Sequence, residues 1–158
     1  MLARYPVEDY PEPRIALAAV RTDAGSPLST RDHLAAYRLL AAARVPVYAY
    51  QFADRTAPPL IDVPGFAEGA ERGTEPSYLW PELLGPLDPA QRRLSDDMVR
   101  YWTSFARTGR PTARSAPHWP RFRTAGDVLS LAPGSGGIRP TDVARRSDCA
   151  FWESLGDR

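Results

Sequence analysis

Proline interrupts this chain so often that few segments can run as regular elements. There are seventeen prolines, about twice the usual share, spread along the 158 residues. Each removes a backbone donor and fixes φ, so it starts or stops a helix, or sits at the start or edge of a strand. Residues 1–13 therefore read as extended, and Ile15 to Val20 as a short helix before a turn-rich connection from Arg21 to Pro27. Ser29 followed by Asp32 is a capping-box pattern that predicts a helix from Thr30 to Ala43. Val45 to Phe52, rich in β-branched and aromatic residues, predicts a buried strand with Pro46 near its start. A long loop follows over 54–77, and Tyr78 to Leu84 predicts a helical turn.

The clearest helix spans Leu94 to Thr108, with Ser95 as its N-cap and Asp96 and Asp97 near the positive end of the helix dipole. Met98, Tyr101, Trp102 and Phe105 fall on one face at i, i+3, i+4 and i+7, which predicts core packing. Gly109 suits the position after the helix, and Pro111 blocks its continuation. Val128 to Ala132 predicts a short strand, Pro133 to Gly137 a turn, and Asp148 to Leu155 a short helix with an aromatic face. No repeat or linker divides the chain, so a single partial domain over 1–158 is expected.

The charges exclude some functions. Twenty basic residues, all arginine, nearly balance nineteen acidic ones and are interspersed with them, so a solvated mixed surface is expected and no nucleic-acid partner. No apolar run approaches a membrane span, and the N-terminal residues lack the apolar core of a signal peptide, which predicts a cytoplasmic chain with no membrane partner. Cys149, the only cysteine, reads as a small buried residue beside Phe151 and Trp152. With only His33 and His118 besides, no ligand spacing for a metal exists, and neither metal nor cofactor is expected.

Several motifs then occur together and in order. Gly69, Ala70, Glu75 and Tyr78 match the pattern G-A-x-H-x-x-E-L-x-Y. VPVYAYQF precedes that loop, and LSDDMVRYWTSFARTGRP follows it in the form L-S-x-x-M-x-x-Y-W-x-x-F-A-x-T-G-x-P. Trp119-Pro120 with Phe122 matches W-P-x-Y, and Cys149 to Trp152 matches C-x-F-W. This succession resembles the C-terminal part of type-B carboxylesterases and covers nearly the whole chain. The resemblance implies an α/β class chain, the C-terminal fragment of an α/β-hydrolase fold with few strands and packing helices. It also implies a parent activity on small-molecule carboxylic esters.

Set against that family, the catalytic set is not intact. Arg72 occupies the position of the histidine that takes the serine proton. A guanidinium stays protonated and cannot serve as a general base. No G-x-S-x-G occurs in the 158 residues; Ser135 fails because Pro133 stands two residues before it. In the family, the triad acid also lies upstream of the region matched. Arg72 could hold an anion, but its plainer reading is a loop arginine paired with Glu71 or Glu75. Glu75 is read as support for the loop, and His118 and His33 as packing or surface residues. The expectation is a chain inactive by itself. Its alternatives are one half of a split hydrolase, completed by an N-terminal hydrolase half, and a non-catalytic interaction module. An isolated fragment would expose sheet edges and an aromatic face, which predicts poor solubility, a homodimer or dependence on another chain.

Overall fold

The computed structural model describes residues 3–62, 70, 73–81, 83–114 and 116–156. They pack as two compact units. One comprises 3–47, 122–127 and 142–156; the other comprises the described residues between 48 and 121 together with 128–141.

In the first unit, helix α1 (Pro13–Asp23) starts on a proline, which is tolerated there because the first helical N–H has no partner in any case. The helix is longer than the segment Ile15 to Val20, and part of the expected Arg21 to Pro27 connection is helical. A short 3-10 turn at Val7–Asp9 breaks the extended N-terminal stretch. Helix α2 (Thr30–Ala42) begins at Ser29, whose Oγ accepts the Asp32 N–H at 3.3 Å and donates to the Asp32 carboxylate at 2.9 Å. Leu34 is its buried contact, while Leu39 and Leu40 are exposed. Two short helices close the unit: α5 (Val143–Arg146), capped by Asp142 and not foreseen, and α6 (Cys149–Gly156), one residue displaced from the segment expected. Cys149 is free and buried as expected, and burial pushes its thiol pKa up.

The second unit holds a three-stranded mixed sheet in the order β1 (Tyr50–Phe52), β2 (Val128–Leu131), β3 (Arg139–Thr141). β1 and β2 are parallel, with Gln51 opposite Ser130, and β2 and β3 are antiparallel, with Leu129 opposite Pro140. β2 is buried at every position, as a central strand should be. β1 is much shorter than the predicted strand from Val45. Pro46 can donate nothing to a ladder. Farther on, the Ala49 carbonyl accepts both the Leu129 N–H and the Trp119 indole N–H, so this stretch is extended without being paired residue by residue. β3 was not foreseen; Pro140 hides it, because a proline is compatible with an edge strand but gives no strand signal.

Helix α4 (Pro89–Thr108) starts six residues before Ser95. Asp88 caps it, accepting the Ala90 and Gln91 N–H groups, and Gln91 accepts the Asp88 N–H in return. This capping box, with Pro89 at the first helical position, supersedes Ser95 as N-cap. Ser95 lies inside the helix and donates to the Tyr78 carbonyl at 2.7 Å. Gly109 ends α4 with φ 71°, a left-handed conformation that favours glycine. Leu94, Met98 and Tyr101 pack into a core with Trp119, Leu129 and Leu131, while Phe105 remains 47% exposed. Burial pushes the Tyr101 phenol up to about 12, with Asp97 adding to the shift, and its hydroxyl donates to the Pro117 carbonyl.

Candidate functional site

The loop between β1 and α3 (Pro76–Leu79) contains position 72, which the sequence singled out. Arg72, the residue singled out at the histidine position, lies outside the described residues, as do Gly69 and Glu71. Both ends of the loop are described.

The chain leaves β1 through Ala53, whose N–H donates to the Leu131 carbonyl at 2.9 Å. Asp54 comes next and is 2% exposed. Its Oδ1 accepts the Thr56 backbone N–H at 2.8 Å and the Thr56 hydroxyl at 2.7 Å. Its Oδ2 accepts the Tyr78 hydroxyl and the Gln91 side-chain amide, the latter at 3.0 Å. Four donors thus converge on one buried carboxylate, the kind of satisfaction that burial of a charge demands. Gln91 also donates to the Thr56 carbonyl at 2.9 Å. One glutamine side chain therefore serves both the cap of α4 and the exit from β1.

The returning end is fixed in parallel. Gly73 has φ 94°, where an L side chain would be strained, and its N–H donates to Glu75 Oε2 at 3.1 Å. Glu75 is half-buried and precedes α3 as its cap residue. Pro76 opens the helix and the Trp80 N–H closes it on the Pro76 carbonyl at 2.8 Å, so the helical turn expected over Tyr78 to Leu84 is shifted to 76–79. Tyr78 is fully buried, with its ring 5.0 Å from that of Phe52. Burial first, then the hydrogen bond to Asp54, pushes the Tyr78 phenol far above its ordinary range. Tyr78 is therefore a permanent donor. Ser77 Oγ is buried without a hydrogen-bond partner among the described residues.

Chemically this cluster is closed. The Asp54 oxygens are occupied by donors, and Tyr78 cannot ionise near neutral pH. His33 is half-buried and stacks on Tyr37 at 6.0 Å, while His118 is exposed. Among the described residues no hydroxyl is hydrogen-bonded to either histidine, and no group of three metal-ligating side chains occurs. Asp54 and Gln91 escaped the sequence reading. Two signals could have found them: an Asp with a Thr two residues on directly after a strand, and the Asp88-Pro89-Ala90-Gln91 helix start.

The chain matches the model of the carboxylesterase family over residues 5–152. It is 34% identical to carboxylesterase 4A of Bos taurus over 112 residues, 70% of this chain and 20% of that protein. It is 29% identical to liver carboxylesterase of Sus scrofa over 118 residues, 72% of this chain and 20% of the relative. It is 32% identical to acetylcholinesterase of Bungarus fasciatus over 115 residues, 67% of this chain and 18% of that protein. The chain spans about a fifth of the length of these relatives.

Proposed function

This chain belongs to the carboxylesterase family, with an α/β fold, and from that premise we propose that it acts as the C-terminal region of an ester hydrolase and cannot hydrolyse an ester by itself. The observation that carries this reading is Arg72 at the family's histidine position, in a chain without any G-x-S-x-G. Serine hydrolysis needs a base that takes the hydroxyl proton and returns it to the leaving alcohol. A guanidinium can do neither, though it can hold an anion. The region supplies sheet, helices and a tethered loop, and leaves nucleophile, acid and base unfilled.

A companion polypeptide, as in a split hydrolase, is favoured by one further observation. Trp80, Ile61, Leu83 and Leu60 are 65%, 66%, 60% and 50% exposed, two of them in the loop itself and two just after α3. We take these four exposed apolar side chains as the ones a companion chain would bury. A non-catalytic interaction module would use the same surface.

The test is an ester hydrolysis assay with an organophosphate probe. The expected result is no turnover and no adduct for the chain alone, whether or not it carries Arg72→His. Activity is expected only when Arg72→His is combined with an upstream carboxylesterase region supplying serine and acid. Turnover of a chromogenic ester by the isolated chain, lost on His118→Ala, would show that the base lies elsewhere.

A further inference from the structure

The Asp54 cluster has a role that extends beyond its own turn. An aspartate that only shaped the bend after β1 would need Thr56 and nothing more; N–H and hydroxyl of that residue already satisfy Oδ1. The second oxygen faces away from the turn, toward Tyr78, which lies 24 residues along the chain, and Gln91, 37 along. Tyr78 is held from its other side as well, because Ser95 of α4 donates to its carbonyl. The Phe52 ring, at the last residue of β1, meets the Tyr78 ring edge-on. The departing and returning ends of the loop are thus bound through one carboxylate to the same helix.

We propose that Asp54 is a positioning residue for the loop that carries residue 72, coupling its two ends through Tyr78 and Gln91. Its importance for catalysis rests on the carboxylesterase reading; the coupling itself does not. Each side of a carboxylate can be loaded independently, so Asp54 binds Thr56 with one oxygen and Tyr78 and Gln91 with the other. A hydroxyl in its place could not supply acceptors in both directions and remain satisfied. Tyr78, always protonated, makes its side of the link insensitive to pH across the ordinary range.

Amide hydrogen exchange on the full 158-residue chain tests this. Its readout is protection at Thr56, on the departing side, and at Ser77, Tyr78 and Trp80, on the returning side. Leu129 and Leu131 report whether the sheet remains folded. In Asp54→Ala, protection on both sides is expected to fall by about 10-fold or more, with the sheet amides still protected. Asp54→Asn keeps an acceptor for Thr56, so it is expected to restore the departing side and recover part of the returning side. A fall confined to Thr56 would reduce Asp54 to a local turn former and overturn the proposal, as would protection unchanged within about twofold on both sides. If Asp54→Ala unfolds the sheet, Tyr78→Phe, which removes a single hydroxyl, is judged by the same returning-side amides. These exchange rates need no esterase activity, so failure of the hydrolase reading and failure of the coupling are separate results.

Discussion

Two aspartates in this molecule are each bound by a tyrosine hydroxyl, one in each unit, and the two pairs behave differently. In the second unit, Asp54 accepts Tyr78 together with three other hydrogen bonds from Thr56 and Gln91. In the first, Asp23 accepts the Tyr5 hydroxyl at 2.8 Å, with Ser147 also favouring its anion and the like charge of Asp148 opposing it. Burial outweighs these two donors, and the Asp23 carboxyl is raised above the ordinary range. The Asp54 carboxylate therefore has four donors, while the Asp23 carboxyl is raised by burial despite its partners. What differs is the number of donors brought to the carboxylate relative to the water taken from it.

The largest effect is expected at the better-satisfied pair. Asp54→Ala should lower the unfolding free energy by about 3 kcal/mol in a denaturant titration, because it leaves the buried Tyr78 hydroxyl without its acceptor. Next comes Tyr78→Phe, at about 2 kcal/mol, since a buried charge then loses one of its donors. Tyr5→Phe should cost about 1 kcal/mol. Its hydroxyl accepts the buried Trp152 indole N–H at 2.8 Å as well as donating to Asp23, so the loss falls mostly on the tryptophan. If Tyr5→Phe costs as much as Tyr78→Phe, the contrast between the pairs is wrong.

The smallest effect has the opposite sign. Because the folded pKa of Asp23 is raised, the folded state holds its proton at pH values where the unfolded chain has released it. Stability from this group is then lost as pH rises from the unfolded carboxylate value of about 4 through the folded value. Asp23→Asn should melt higher than the parent at pH 7, with the difference closing as pH falls toward about 4. A variant that melts lower at pH 7 would show that the anion is better solvated than its two donors and neighbouring charge imply.

The residues show unevenly how much of this could be read in advance. The capping of α2 by Ser29 and the apolar stripe of α4 were legible because both depend on neighbours within one or two turns. The end of α4 at Gly109 was legible for the same reason. The start of α4 was misplaced because Ser95 and Asp88 are both good caps, and only Gln91 and Pro89 favour the earlier one. The strand from Val45 was overextended because a β-rich composition says nothing about whether a partner strand is in register beside it. Pro140 concealed β3 for the converse reason: what makes it a strand is the neighbouring β2.

Family membership was carried by the order and spacing of motifs, and the proposal that residue 72 takes the histidine position rests on that same spacing, while its identity as arginine is read directly from the sequence. A guanidinium is a cation wherever it is placed. By contrast, Asp54 was only one acidic residue among nineteen in the sequence. Its role arises where β1, α3 and α4 bring Thr56, Tyr78 and Gln91 to one carboxylate, because hydrogen bonds depend on distance and direction in space and not on separation along the chain.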